Sequence, residues 1–139
     1  MSATRELILS AGPDATARAL DFVASICRAW RVQDDACFDI LLAVDEAVSN
    51  IINHGYGGRG GVITLRVGQR ERDVIISLVD RGAPFDPTQA SEPDLSGPLA
   101  SRETGGMGIC LMRKMMDAIR YCREGEENVL TLIKKEALP

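Results

Sequence analysis

The run Leu41-Leu42-Ala43-Val44-Asp45-Glu46-Ala47-Val48-Ser49-Asn50-Ile51-Ile52-Asn53-His54-Gly55-Tyr56 constrains the fold more than any other stretch of this chain. At about 100° per residue, Glu46, Asn50, Asn53 and His54 fall within one narrow sector, while Ile40, Leu41, Val44, Val48, Ile51 and Ile52 fall on the other side. Such a helix builds a core with one face and keeps the other for polar groups. A polar stripe is ordinarily a solvated face, so the stripe alone assigns no chemistry. Two glycine-bearing motifs further along change that reading.

The chain has 139 residues, 45% of them hydrophobic. That is enough for one domain over residues 1–139 with a real core, and too little for two ordinary ones. A net charge of −4 without a Lys/Arg cluster argues against direct binding to nucleic acid or to an anionic membrane. The first ten residues lack the basic region and apolar core of a signal peptide, and no apolar stretch reaches membrane-spanning length, so a cytoplasmic location is expected. Cys27, Cys37, Cys110 and Cys122 are scattered without a Cys-x-x-Cys pair, and His54 is the single histidine. This pattern suggests neither zinc nor a disulfide framework, and predicts reduced thiols that are at least partly buried.

Hydropathy periods predict a strand over 5–11, ended by Gly12-Pro13. A helix capped by Asp14 follows over 15–30, with Ala19, Leu20, Val23, Ile26, Cys27 and Trp30 at helical spacing. The second helix opens at Asp34 or Asp35 and stops near Gly55, read as a left-handed terminator. Strands over 62–67 and 73–79 form a hairpin joined at 68–72. Residues 87–104 have no periodicity, as in a lid or a disordered loop. Gly105-Gly106-Met107-Gly108 opens a third helix with Ile109, Leu111, Met112, Met115, Met116 and Ile119 on its apolar side. A closing hairpin pairs 119–123 with 128–134 around Gly125.

Asp80 is in phase with Val74, Ile76 and Leu78, which puts a carboxylate at a semi-buried position where it needs a partner. An exocyclic amine such as adenine N6 supplies a donor, Gly82 lets a base approach the backbone, and Pro84-Phe85 forms an apolar wall. The alternative is a turn acid receiving backbone hydrogen bonds. The backbone of Gly105, Gly106, Met107 and Gly108 at a helix start is a phosphate cradle. It is not a Walker A loop, and Leu111 stands where a dinucleotide fingerprint needs its third glycine. Phosphoryl transfer needs a cation and a base. Asn50 offers an amide oxygen for Mg²⁺, and Glu46, one turn earlier, can accept the proton of a nucleophile. His54 caps the helix end or contacts a nearby loop, and Asp45 is a helix-face acid.

Taken together, Asp45-Glu46-Ala47-Val48-Ser49-Asn50 with His54-Gly55-Tyr56, then Asp80 to Pro87, then Gly105 to Gly108, resemble the N, G1 and G2 boxes of the GHKL ATPase superfamily. The match is nearest to its small anti-sigma-factor serine/threonine kinase branch, and Asn128-Val129-Leu130-Thr131-Leu132 extends the likeness to the last strand. The resemblance implies a Bergerat fold: an α+β two-layer sandwich whose mixed, mostly antiparallel sheet carries helices on one face, with ATP and Mg²⁺ in a pocket under a lid. It implies Glu46 as general base, Asn50 as Mg²⁺ ligand, Asp80 as adenine reader, and Gly82, Gly106 and Gly108 as nucleotide-contacting glycines. The implied activity is phosphorylation of a STAS-domain anti-sigma-factor antagonist, with capture of a sigma factor or similar regulator in its absence and with a homodimer as the assembly. A histidine kinase needs a dimerisation helix with a phosphoacceptor histidine, and gyrase, chaperone and mismatch-repair relatives need further domains. The rival reading is a nucleotide-gated binding module that sequesters a regulator with little or no kinase activity.

Overall fold

A computed structural model describes residues 3–89 and 111–139. Alternation of apolar and polar side chains makes five strands, β1 (Thr4–Ser10), β2 (Val62–Arg70), β3 (Asp73–Asp80), β4 (Ala118–Glu124) and β5 (Glu127–Lys134). They pair in the order β1-β2-β3-β5-β4, and all four described pairings are antiparallel. The register stacks the inward residues in rows, Val67 beside Ile76 beside Leu132 and Leu65 beside Leu78 beside Leu130. The next row is Ile63, Asp80 and Asn128. The apolar floor therefore turns polar at one end, and that end carries the site.

Two helices, α1 (Ala15–Ala29) and α2 (Asp34–Asn50), cover this floor. Ala15, Ala19, Ala43 and Ala47 are fully buried; small residues of this kind let ridges and grooves approach closely. Val23, Ile40, Val44 and Val48 complete the same core with the strand residues. The alternate face of the sheet carries exposed Ile8 and Val62. The described part of a third helix, α3, at residues 111–115, adds buried Met112.

Several local expectations change. Asp14 occupies the N-cap position of α1 without a side-chain cap bond; its carbonyl accepts the Arg18 N–H instead. The second helix does not run regularly to Gly55, because its last turn, Ile51–Gly55, widens into a π-turn. Gly55 is not left-handed; the positive φ values fall at Gly57 and Gly58. The β2–β3 turn shrinks to Glu71-Arg72, with Glu71 taking the left-handed conformation. Ile119 belongs to β4 rather than to the third helix. Cys27 is buried, Cys37 half-buried, and Cys122 exposed against expectation, since the period of a strand puts it on the uncovered face. Burial, then a hydrogen bond with Cys37, pushes the Cys27 thiol up to about 12, which keeps it protonated. Of the expected lid, only a single turn at Pro87–Gln89 lies within the described residues; Gly105, Gly106, Met107, Gly108 and Cys110 lie outside them.

The C-terminal residues fold back as a staple. Ala137 and Leu138 are buried, and their N–H groups donate to the Arg72 carbonyl at 2.9 and 3.0 Å. The Gln33 N–H donates to the Ala137 carbonyl at 3.0 Å, tying the α1–α2 connection to the β2–β3 turn.

Candidate functional site

The inward position after Leu78 on β3 is Asp80, and its cross-strand neighbour on β5 is Asn128. They are 4% and 3% exposed, so each must find partners in the protein or in a ligand. Asp80 Oδ1 accepts the Gly82 N–H at 2.8 Å and an Asn128 Nδ2 hydrogen at 3.0 Å. Among the described residues no hydrogen bond reaches Oδ2. Asn128 Nδ2 also lies 3.0 Å from the Ala83 carbonyl and 3.3 Å from that of Gly82, while the Tyr121 hydroxyl donates to Asn128 Oδ1. Arg123 Nη1 donates to the Gly82 carbonyl at 2.8 Å.

The π-turn brings the end of the polar helix against this loop. A Cβ on Gly82 would sit 2.3 Å from the Gly55 carbonyl carbon, so the two segments meet backbone to backbone, and the Ala83 N–H donates to the Gly55 carbonyl at 2.7 Å. The space expected to admit a base at Gly82 is thus taken by Gly55 on that side. Tyr56 adds a second tie: its hydroxyl donates to the Val62 carbonyl at 2.5 Å and accepts the Arg81 N–H at 2.8 Å.

Between these parts opens a small cavity, lined by Asn50, Gly55, Asp80, Phe85, Met112 and Tyr121 among others. Asn50 is 8% exposed, and its Nδ2 is buried without a hydrogen-bond partner among the described residues. Phe85 lines the cavity and its ring is stacked on His54, centroids 4.7 Å apart and planes 13° from parallel. Pro84 is exposed and does not line the cavity. Glu46 lies half-buried one turn before Asn50, outside the cavity lining. Burial, and then the Asp45 carboxylate beside it, raise the Glu46 carboxyl above the usual glutamate range.

Asn50, Asp80 and Phe85 therefore meet at one cavity, with Gly82 behind its floor. Asn53 and His54 are exposed, and His54 contacts the Phe85 loop rather than capping the helix. Asn128 and Tyr121 entered the sequence reading only as parts of the closing hairpin, without a place in the site. A signal existed for Asn128, a polar residue in phase with buried Leu130 and Leu132; Tyr121 carried none beyond its place on a strand.

The cavity lining thus holds an amide N–H and a carboxylate oxygen that have no hydrogen-bond partner among the described residues, a pair that suits a ligand carrying both an acceptor such as a phosphate and a donor such as an amine. No cluster of three or more His, Cys, Asp or Glu is found among the described residues. A lone amide oxygen beside phosphates suits Mg²⁺, which keeps several waters and takes ligands from its nucleotide.

The sequence profile of the histidine kinase-like ATPase domain matches residues 9–134, and this chain belongs to that family. Within it, the chain is 40% identical over 101 residues to the serine/threonine-protein kinase BtrW of Bordetella bronchiseptica, covering 72% of this chain and 71% of that protein. It is 33% identical over 105 residues to the anti-sigma F factor of Clostridium acetobutylicum, covering 70% and 68% respectively. The solved structure of the RsbU and RsbW domains of Rv1364c from Mycobacterium tuberculosis superposes with a TM-score of 0.72 over 99% of this chain and 33% of that one. At 17% identity that likeness shows the fold, a five-stranded antiparallel sheet under helices. No described helix is long and apolar enough to cross a membrane.

Proposed function

We propose that this chain is an ATP- and Mg²⁺-dependent protein serine/threonine kinase and partner-switching regulator. It phosphorylates a STAS-domain antagonist in the cytoplasm and holds a sigma factor or similar regulator when that antagonist is absent. The observation that carries this reading is the buried Asp80 of the cavity lining, whose Oδ1 accepts from Gly82 and Asn128 while Oδ2 has no hydrogen-bond partner among the described residues. The serine/threonine-protein kinase and anti-sigma F factor names of its relatives support the choice of reaction and of a sigma factor as a partner class.

In this reading Asp80 accepts a hydrogen from the adenine amine, and Phe85, held by His54, bounds the base. Asn50 would hold the cation through its amide oxygen and leave its orphaned N–H for a phosphate oxygen, and the backbone N–H groups of Gly105, Gly106, Met107 and Gly108 would bind the phosphates. When bound, Mg²⁺ supplies charge neutralisation on the phosphates. Glu46 takes the proton of the acceptor hydroxyl as that oxygen bonds to the γ-phosphorus and the bond to the bridging oxygen of ADP breaks. A carboxylate raised by burial and by Asp45 holds that proton better than an ordinary glutamate.

The test is transfer from γ-labelled ATP to STAS-domain proteins of the same cell. Label on a serine or threonine that falls about 10²- to 10⁴-fold in Glu46→Gln is expected. Transfer undiminished in that variant overturns the assignment of Glu46. Partner switching that survives Glu46→Gln but not Asp80→Ala supports the binding module instead.

A further inference from the structure

We infer that the outer stripe of α2, centred on Phe38 and Leu42, is the docking surface for the phosphoacceptor protein, which meets it with an apolar anchor flanked by Lys or Arg. The inference rests on the kinase reading above and deepens it, naming where the protein substrate sits and what chemistry it presents.

Helical spacing sets Asp35, Phe38, Leu42, Asp45 and Ser49 on the side of α2 that faces away from the core built by Ile40, Val44 and Val48. Phe38 is 63% exposed, the highest value among the described large apolar side chains. Leu42, one turn further on, is half-buried, and among the described residues neither belongs to the hydrophobic core. The helix needs neither for its own packing, since Ile40, Val44 and Val48 fill its buried side with three alanines. Two large apolar side chains one turn apart on a solvent face are the anchors of a helix-borne contact.

The charge around them states the chemistry of the occupant. Between Arg31 and Arg59 the sequence has no Lys or Arg. Asp39 is bridged to Lys134, but no described ion pair reaches Asp34, Asp35, Asp45 or Glu46. The helix dipole accounts for the two acids of the first turn and not for the later two. An apolar centre among unpaired carboxylates complements an apolar side chain flanked by cations, and it opposes an acidic segment.

Position identifies the occupant as the acceptor. Glu46, the base of the proposed transfer, lies one turn beyond Leu42, and by helical spacing it stands between this stripe and Asn50. At 1.5 Å per residue Phe38 is about 12 Å along the helix from Glu46. An interface of ordinary size, about 800 Å² on each partner, spans that distance. A protein seated on the stripe therefore brings its hydroxyl within reach of Glu46.

The test measures transfer by the full chain from Mg²⁺-ATP to the STAS-domain protein labelled in the experiment above, with the acceptor concentration varied. Phe38→Ala changes an exposed position and leaves the core intact. It should raise KM for the acceptor about tenfold, while kcat and KM for ATP stay within about twofold of wild type. Leu42→Ala should act in the same direction, and Phe38→Leu should recover most of the loss. In wild type the acceptor KM should rise with ionic strength, and Asp34→Asn with Asp35→Asn should flatten that rise. An acceptor KM unchanged in Phe38→Ala, or raised together with that for ATP, overturns the inference and leaves the kinase reading intact. A wild-type KM that salt does not raise overturns the basic chemistry assigned to the partner. If Phe38→Ala instead loses only its hold on a sigma factor, or only turns a dimer into monomers in sedimentation, the stripe belongs to that occupant and the inference falls. Failure of wild type to label any STAS-domain protein overturns the kinase reading and the inference together.

Discussion

Glu46 holds its proton more tightly than a solvated glutamate because it is partly buried and faces the charge of Asp45. Two consequences have opposite signs. As a base, Glu46 should lose activity as pH falls through its raised value, so the transfer rate should drop at a higher pH than an ordinary carboxylate would give. For stability, the native state binds this proton more readily than the unfolded chain. Stability therefore declines as pH rises from the unfolded value through the folded one, and the deficit persists above it. Glu46→Gln should unfold at the same or a higher urea concentration than wild type at neutral pH, and the difference should vanish in acid below the ordinary glutamate range. Gly55 and Gly82 set a second residue-scale expectation. A Cβ on Gly82 would meet Gly55 backbone at 2.3 Å, whereas one on Gly55 would lie 3.3 Å from Asp80 Oδ1. Gly82→Ala should fail to give a cooperative thermal transition, while Gly55→Ala should fold and bind ATP more weakly through a displaced carboxylate.

Between elements, Lys134 of β5 is the clearest joint outside the cavity. Its ammonium donates to Asp39 Oδ2 of α2 at 2.9 Å and to the Met115 carbonyl at the end of α3 at 2.6 Å. With side chains only 16% and 29% exposed, this pair is screened less than a surface one. Lys134→Met should cost about 1–3 kcal/mol in urea denaturation, with part of the loss recovered by adding Asp39→Asn. Elements were also where the sequence spoke most clearly. The strand period in Val74, Ile76 and Leu78 placed Asp80 inward, and the helical period of 34–50 placed Asn50 on the polar side. The widening at Ile51–Gly55 was not legible, because a π-turn adds one residue to a turn without altering which types are apolar. Nor was the partner of Asp80. Asn128 is 48 positions away, and only the pairing of β3 with β5 puts them side by side. Gly82 was legible as a site of close approach, but which backbone approaches it was a tertiary fact.

At the scale of the molecule, the C-terminal staple closes the end opposite to nothing in the sequence pattern, since Ala137 and Leu138 follow the charged run Lys134-Lys135-Glu136 and carry no period. Leu138 is 5% exposed, and Leu138→Ala should cost about 2–4 kcal/mol, read as a lower midpoint of thermal unfolding with nucleotide affinity unchanged. The main-chain contact between Gly55 and Gly82 has a further consequence for how such a protein can diverge. A junction made by side chains can be re-cut by paired substitutions, one growing as the other shrinks. A junction made by two stretches of backbone offers no such trade, because neither position has an atom to give up. Variants selected for a new base or a new partner should therefore accumulate changes at Phe85, Tyr121 and Asn128 around the cavity, and leave untouched the two glycines that join the helix to its floor.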